Sequence, residues 1–351
     1  MNTDPETKRN IKGLTLEQLT ALMSEIGEKP FHARQIYQWM YQKGVRDFQE
    51  MTNLSNDLRN RLSESFSLSA VTLKAQEASR IDETVKYLFE MEDGLFVESV
   101  YMVEEKRVTV CLSTMVGCPI GCSYCATGLM GAKRNLTAGE IVDQLTLINS
   151  FEKKPVTNVV FMGMGEPFLN YENVISAANI LNSELGPAIA AKKITISTCG
   201  IVPAIYRFAD EEHRFKLAIS LNAADDEKRN ELNPINRKYP LNDLMKAIAY
   251  YTHKSKRRVT FEYILIKGFN DSSEDARRIV SLFGSLPCKL NLIPYNENEH
   301  VGFRQPDETV VNRFIREVYQ APFTVTVRRS KGSDISAACG QLYVRERKSN
   351  G

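Results

Sequence analysis

Apolar β-branched runs alternate with helix-type segments through much of this 351-residue chain. The strand-like runs lie at 158–162, 194–198, 216–221, 259–266, 290–293 and 323–327, and the helical patterns between them at 137–151, 173–185, 241–252, 273–286 and 308–319. Alternation of this kind is typical of βαβ units with a parallel sheet. It predicts an α/β fold, a partial (β/α)6 barrel whose chemistry lies at the carboxyl ends of its strands.

Two other patterns precede the barrel. In residues 1–75, apolar side chains recur at the spacing of a helix. Thr15 and Gln18 form a capping-box pair, and leucines recur every fourth residue from Leu54. Strand-like runs follow, with Asp93-Gly94 as turn chemistry between two of them. We therefore expect a helical accessory domain at 1–75, a linking β meander at 76–105, the barrel at 106–343 and a basic tail at 344–351.

Composition excludes several classes of protein. Hydrophobic residues at 43% and charged residues at 25% are ordinary globular values, which argues against disorder. No apolar run approaches the roughly 18 residues that span a bilayer, and residues 1–6 contain no apolar signal core, so we expect a cytoplasmic protein without membrane contact. The net charge of +2 gives no overall footprint for nucleic acid. Seven cysteines in such a chain indicate metal binding or catalysis rather than disulfides.

The densest chemical signal is a C-x3-C-x2-C loop formed by Cys118, Cys122 and Cys125. A structural zinc site needs four ligands, yet the next cysteine is Cys199 and no histidine lies near. Three thiolates on a four-iron cluster leave one iron open for a chelating ligand. A buried cysteine-rich turn or an incomplete zinc knuckle is the alternative, but the spacing favours the cluster.

Segments outside the loop extend the pattern over most of residues 95–343: 111–118, 133–136, 161–167, 233–236 and 334–342. With the loop, they resemble the radical S-adenosylmethionine (SAM) RNA (adenine-C2/C8) methyltransferases called RlmN and Cfr. The segment 31–39 is similar to the C2 branch, the RlmN-type dual-specificity enzymes, rather than to the C8 branch.

The resemblance implies the cofactors and their contacts. A [4Fe-4S] cluster would be held by Cys118, Cys122 and Cys125, and two SAM molecules would be used per turnover. The SAM contacts would be Gly165, Glu166, Ser197, Ser220, Leu221, Asn222 and Asn296. Many family members have histidine where this chain has Asn222. The Gly163-Met164-Gly165 segment is not a dinucleotide fingerprint, because the third glycine position is Phe168.

Three further residues acquire catalytic roles through the resemblance alone. The local sequence pattern by itself predicts that Cys111 and Cys339 are core residues and that Glu98 is a solvent-exposed carboxylate on an edge strand. In the family, the residue matching Cys339 carries a methyl group, which a SAM-derived radical activates for addition to C2 of adenine. Glu98 would then accept the C2 proton, and Cys111 would attack the sulfur of Cys339 and release the product as a disulfide forms. The remaining cysteines, Cys199 and Cys288, are expected to pack in the core.

Family resemblance also implies partners: an adenine of 23S rRNA, the adenosine beside the anticodon of tRNA, and an electron donor such as flavodoxin or ferredoxin. We expect a monomer. Three basic patches are predicted to contact RNA phosphates near the mouth of the barrel, the opening at the carboxyl ends of its strands. They are Lys133 and Arg134; Lys254, Lys256, Arg257 and Arg258; and Arg328, Arg329 and Lys331. Three alternatives remain open at this point: an adenine-C8 methyltransferase of the Cfr type, an activase that makes a glycyl radical on a partner protein, and a zinc-stabilised RNA-binding module without catalysis.

Overall fold

The computed structural model describes residues 8–328 and 330–344. Residues 1–7, Arg329 and residues 345–351, which include most of the predicted basic tail, lie outside the described residues.

A small helical unit begins the described chain, as predicted. Its helices are α1 (Leu16–Glu25), α2 (Pro30–Tyr41) and α3 (Asn56–Ser65). The predicted capping box is confirmed: the Thr15 side chain accepts a hydrogen bond from the Gln18 N–H, and the Gln18 side chain accepts one from the Thr15 N–H. Strands β1 (Arg9–Asn10) and β2 (Phe66–Ser67) pair in parallel and close the unit.

The remaining strands carry the main sheet and a short hairpin. They are β3 (Val71–Ala78), β4 (Thr84–Met91), β5 (Phe96–Glu104), β6 (Arg107–Cys111), β7 (Met115–Gly117), β8 (Ala132–Asn135), β9 (Asn158–Phe161), β10 (Ile194–Thr198), β11 (Lys216–Ser220), β12 (Val259–Leu265), β13 (Cys288–Pro294) and β14 (Thr324–Val327). The main sheet has the order β14-β13-β12-β11-β10-β9-β6-β5-β4-β3. In this order, adjacent strands are parallel from β14 to β6, and the strands β6, β5, β4 and β3 form an antiparallel meander. The predicted α/β barrel with a β extension is confirmed.

Helices occupy the connections between consecutive parallel strands. They are α4 (Ala126–Leu129), α5 (Ala138–Phe151), α6 (Tyr171–Asn182), α7 (Val202–Asp210), α8 (Asp226–Leu232), α9 (Leu241–Ser255), α10 (Ser273–Phe283) and α11 (Glu308–Val318). Apolar residues of the central strands, such as Ile196, Leu217, Phe261 and Leu290, are fully buried between these helices and the barrel interior. Within the described residues, no helix combines the length and apolar character needed to cross a bilayer.

One strand differs from the expected pattern. β3 begins at Val71, inside the stretch 1–75 that was expected to be helical, and pairs antiparallel with β4. Only Val71 of this strand is buried, and most of its other residues are exposed. An edge strand with solvent on most positions shows little apolar alternation, which is why its sequence pattern was weak.

A buried carboxylate joins the helical unit to the barrel. Asp143, on α5, lies 3.1 Å from Lys12 Nζ, and both side chains are wholly buried. The other Asp143 oxygen accepts hydrogen bonds from the Ala70 and Val71 N–H groups at 2.9 and 3.2 Å, and pairs with Arg46 at 3.3 Å. Three separate segments of the chain therefore converge on one side chain.

We expect Asp143→Asn to destabilise the protein by about 3 kcal/mol, because it leaves the buried Lys12 ammonium and the Arg46 guanidinium without their anion. Chemical denaturation measures this change. The matched control is Asp243→Asn, which removes an exposed carboxylate that pairs with Lys246, and it should cost less than about 1 kcal/mol. Equal effects of the two substitutions would show that Asp143 does not anchor the helical unit.

Candidate active site at the carboxyl ends of the strands

The predicted three-cysteine loop leaves the barrel between two short strands. β7 and β8 pair antiparallel, and the Cys118 N–H donates to the Gly131 carbonyl at 2.8 Å, which closes the base of the loop. Gly117 has φ +73°, and a Cβ added there would lie 1.8 Å from the Gly131 carbonyl oxygen. Only glycine fits this position, so the hairpin determines where the loop begins.

All three loop cysteines line one cavity of about 140 Å³. Burial raises the pKa of the Cys118 thiol to about 12, and it also raises the pKa of the Cys125 thiol. Asn233 Nδ2 lies 3.5 Å from Cys122 Sγ. Within the described residues, no group of three or more His, Cys, Asp and Glu side chains is arranged to hold a single metal ion. Three thiols that line one cavity suit a cluster in which each thiolate binds a different iron.

Gly165 and Glu166 follow β9 and line the same cavity. The Phe168 N–H donates to one carboxylate oxygen of Glu166 at 2.9 Å, and the Cys199 N–H donates to the other at 2.7 Å. Glu166 is 4% exposed, and burial raises the pKa of its carboxyl group. The two backbone bonds hold the carboxylate in one orientation at the cavity wall.

Three more predicted contacts, Ser197, Ser220 and Asn222, line this cavity at the ends of β10 and β11. Asn222 has φ +61°, a conformation that asparagine tolerates better than most residues. Its Nδ2 donates to the Tyr124 hydroxyl at 2.8 Å and its Oδ1 accepts from the Ile264 N–H at 3.1 Å, so the amide is already oriented by the protein. Leu221 is fully buried and is not among the residues that line the cavity.

A smaller cavity of about 50 Å³ adjoins the first, and Cys125 and Cys339 line both. Cys111 also lines the smaller cavity, where it is a free thiol like Cys339. Burial raises the pKa of the Cys111 thiol to about 12. The two cysteines outside the loop that were predicted to be reactive are thus brought to one small space beside the loop.

The C-terminal segment that carries Cys339 is tied across the mouth of the barrel. The Gly340 carbonyl accepts from the Ala126 N–H at 2.8 Å, and Thr127 Oγ1 donates to the Leu342 carbonyl at 2.6 Å. Asn296 lines the smaller cavity, and its Nδ2 donates to the Cys339 carbonyl at 3.3 Å. Asn296 is therefore placed against the Cys339 segment rather than within the larger cavity.

Glu98 lies close to this segment without lining either cavity. Its neighbour on the same face of β5, Val100, pairs directly with Cys111, so Glu98 and Cys111 share one face of the sheet. One Glu98 oxygen accepts from the Tyr343 N–H at 3.0 Å, and the other lies 3.5 Å from Lys86 Nζ. Burial raises the pKa of the Glu98 carboxyl group, and the Lys86 ammonium partly opposes that shift.

Two further charged side chains belong to the site, beyond the residues predicted to bind cofactors or to act in catalysis. Arg328 was expected on a surface basic patch, yet it lines both cavities. Its pKa is raised chiefly by the Cys339 thiol and also by Glu262. Glu262, on β12, lines the larger cavity and accepts a hydrogen bond from Asn291 Nδ2 at 2.6 Å. A single carboxylate inside an apolar strand was the signal that could have identified Glu262.

Behind the loop lies Arg229, a fully buried arginine on α8. Its guanidinium donates to the Leu221 and Cys199 carbonyls at 3.1 and 2.6 Å and to Asn236 Oδ1 at 2.6 Å. All three acceptors are neutral, and in the described part of the chain Arg229 forms no ion pair. Burial lowers its pKa. A positive charge is thus held beneath the thiols with no anion in contact.

The other residues of the predicted basic patches differ in their partners and positions. Arg134 is engaged by Glu140 at 2.7 Å, and Lys254 pairs with Asp210. The prediction of phosphate contacts near the mouth is wrong for Arg257 and Arg258, because both precede β12 and lie at the opposite end of the barrel. Arg329 lies outside the described residues.

The two remaining cysteines are buried, as expected. Cys199 is 6% exposed and also lines the larger cavity, so it contributes to the site wall as well as to packing. Cys288 is 3% exposed at the start of β13 and lines neither cavity. It provides a matched control for substitutions of the loop cysteines.

Two family models match this chain. The N-terminal domain of the ribosomal RNA large subunit methyltransferase RlmN matches residues 9–68, and the radical SAM superfamily matches residues 112–280.

Similar proteins span nearly the whole chain. A probable dual-specificity RNA methyltransferase RlmN from Thermoanaerobacter sp. (strain X514) is 47% identical over 96% of this chain and 99% of its own length. The dual-specificity RNA methyltransferase RlmN of Anaeromyxobacter dehalogenans is 45% identical over 95% of this chain and 91% of its own length. The crystal structure of a radical SAM methyltransferase from Sphaerobacter thermophilus has a TM-score of 0.92 at 42% identity, and covers 95% of this chain and 99% of its own.

Replacing Cys122 by Ala should remove bound iron and sulfide, because the loop contains no spare thiol within the C-x3-C-x2-C spacing. Iron and sulfide analysis of anaerobically reconstituted protein measures the loss, with SAM cleavage to 5'-deoxyadenosine as a second readout. Cys288→Ala removes an equally small buried thiol remote from the loop and should retain iron. Full iron, sulfide and SAM cleavage in the Cys122 variant would refute the assignment of the loop.

Proposed function

The chain belongs to the RlmN family of radical SAM RNA methyltransferases, and on that premise we propose that it methylates C2 of an adenine in 23S rRNA and in tRNA through a methyl group carried on Cys339. The RlmN names of its relatives and the match to the RlmN N-terminal domain favour C2 over C8. The dual-specificity names support two RNA substrates.

One observation carries the proposal: Cys111 and Cys339 line a small cavity that adjoins the three-thiol cavity. A glycyl-radical activase needs neither thiol, and a zinc-stabilised binding module needs no such pair. A methyl-carrying cysteine with a resolving partner needs both. The pairing of these two thiols beside the loop therefore supports methyl transfer over the alternatives.

Family membership implies a [4Fe-4S] cluster and SAM, and the residues present fit both groups. Three thiols of one loop, all lining one cavity, would leave a fourth iron open for SAM. The unpaired guanidinium of Arg229, held beneath the thiols, suits a group that carries negative charge. When bound, these groups supply a methyl cation equivalent and a 5'-deoxyadenosyl radical.

Five of the seven proposed SAM contacts line the larger cavity, whereas Leu221 is buried behind its wall and Asn296 lines the smaller cavity. Glu166, oriented by two backbone N–H groups, would receive the SAM ammonium, and the hydroxyls of Ser197 and Ser220 would bind its polar groups. Gly165, Leu221, Asn222 and Asn296 complete the proposed set. Gly165 has φ +105°, and a Cβ added there would lie 2.6 Å from Met115 Cβ, so a side chain would displace the cavity wall.

Cys339 performs the first step as a nucleophile. Its thiolate would take the methyl group of SAM by displacement, so that a new C–S bond forms as the sulfonium C–S bond breaks and S-adenosylhomocysteine leaves. The methyl thioether then holds that carbon in the space that adjoins the cluster loop. The guanidinium of Arg328 lines both cavities together with Cys339, so a positive charge lies beside the proposed methyl carrier. We propose two SAM molecules per turnover, one as methyl donor and one as radical source.

Glu98 and Cys111 act after the carbon has joined C2 and the resulting radical adduct has given up its unpaired electron to the electron-transfer partner. Glu98 accepts the C2 proton, and burial favours this because it raises the pKa of the carboxyl group and makes it a stronger base. The Cys111 thiolate then attacks the sulfur of Cys339, so an S–S bond forms as the C–S bond breaks and its electron pair stays on carbon, which takes a proton to become the methyl group. A reductant must open the disulfide before the next turnover.

The remaining assignments complete the proposal. The helical unit at 1–75 recognises RNA, the segment 76–105 links it to the barrel at 106–343, and an electron donor such as flavodoxin or ferredoxin supplies electrons. The enzyme works as a monomer in the cytoplasm, where its RNA substrates are. The target base must leave its stack to reach Cys339.

Cys339→Ala should abolish RNA methylation, because no other residue holds the methyl group in the site. The wild-type holoenzyme should yield 2-methyladenosine in nucleoside digests of both RNAs and carry one extra methyl on the Cys339 peptide by mass spectrometry. Cys288→Ala should retain both signals. A methyl group mapped to another residue, or 8-methyladenosine as the product, would contradict the proposal.

Cys111→Ala should still acquire the methyl group on Cys339 and couple to adenine, because both steps precede attack by Cys111. Release fails, since a thioether is not cleaved by ordinary reductants. Purification under denaturing conditions should then recover a nuclease-sensitive adduct that contains the Cys339 peptide. Recovery of free protein with normal methylated product would show that Cys111 only packs in the core.

A further inference from the structure

A large groove lies at the end of the barrel opposite the proposed active site. Its volume is about 950 Å³, and it follows the amino ends of four neighbouring parallel strands, β10 to β13. The groove is lined by six cations: Lys192, Arg214, Lys216, Arg257, Arg258 and Lys289. One carboxylate, Glu184, is also among its lining residues. We call this set of six the basal cations.

The basal cations are not neutralised by the protein. None of the six forms an ion pair within the described part of the chain. Arg257 donates to the Arg214 carbonyl, which is a neutral acceptor. Partial burial lowers the pKa of Lys216, and repulsion by Lys289 and Lys192 adds to that shift. Six like charges in one concave site repel one another, so a bound anion would stabilise the groove.

We propose that the basal cations form a second RNA contact that binds backbone phosphates of the substrate at the amino ends of the strands. The proposal rests on the proposed function, since it takes RNA to be the substrate. Lysine and arginine side chains supply most contacts to phosphates in protein–RNA interfaces, without reading the base sequence. A groove about 950 Å³ in volume, open to solvent along a row of strands, suits a chain of phosphates better than one buried ion.

The two ends of the barrel are separated by the length of a strand. β10 and β11 each contain five residues, which corresponds to about 15 Å between the mouth and the groove. To reach the basal cations from the mouth, RNA must also pass around the helices outside the sheet, which a long rRNA fragment can do and a short hairpin held at the mouth by its target adenine does not. RNA length therefore separates the two contacts experimentally.

The test is a double variant, Lys192→Gln with Lys289→Gln, in the reconstituted holoenzyme. Fluorescence anisotropy at several salt concentrations measures its affinity for two probes, a long transcribed fragment of 23S rRNA and a short hairpin that contains the target adenine. For the long fragment, we expect affinity to fall roughly tenfold and the slope of log affinity against log salt to decrease by about 1.5. Hairpin affinity and the kcat of methylation should stay unchanged.

The control variant, Lys246→Gln with Arg278→Gln, changes the net charge equally but removes exposed cations of surface ion pairs outside the groove. It should leave both affinities near those of the wild type. Unchanged binding of the long fragment by the double variant, or an equal loss for hairpin and long fragment, would overturn the proposal. Absence of 2-methyladenosine from both RNAs with the wild-type enzyme would instead refute the proposed function and is a separate result.

Discussion

The site depends on a set of hydrogen bonds that hold the C-terminal segment across the mouth of the barrel. Gly340 binds Ala126, Leu342 binds Thr127, and the Tyr343 N–H binds the carboxylate of Glu98. These bonds connect the segment to the cysteine loop on one side and to the meander on the other. Without them, Cys339 would share no cavity with Cys111 and Cys125, since no local structure brings these residues together. The proposed chemistry is therefore a property of chain closure rather than of the barrel alone.

Buried charge gives the mouth its chemical character. Arg229 lies beneath the loop with neutral acceptors, Arg328 lies between the two cavities, and Glu166 and Glu262 line the larger cavity. Burying charges is costly unless they are paired or bind a charged ligand. Their positions suit a site that must accept a cluster, a sulfonium cofactor and an adenine in turn. These charges lower the stability of the fold at the mouth. The fully buried apolar strands of the surrounding parallel sheet offset that cost.

The parallel sheet also divides the molecule by function. Every strand from β10 to β13 ends at the mouth and begins at the basal cations, so one set of elements builds two chemically different surfaces. The mouth contains thiols, amides and buried carboxylates, whereas the opposite end contains unpaired cations. In this arrangement, binding of long RNA and reaction with one base are handled at separate places. The helical unit, held by the buried Asp143, completes the described surface near the first barrel helix.

Local pattern in the sequence was sufficient for the barrel and for the three-cysteine loop. Strand and helix periodicity depends on neighbouring residues, and the C-x3-C-x2-C spacing lies within one loop. Cys111, Cys339 and Glu98 had to come from family resemblance, because their own patterns indicate core or edge positions. Only the tertiary structure placed Arg328 in the site and moved Arg257 away from the mouth. The physical reason is that a charged residue beside a strand has no local signal for the face or end of the sheet on which it will lie; that is decided by contacts between segments distant in the chain.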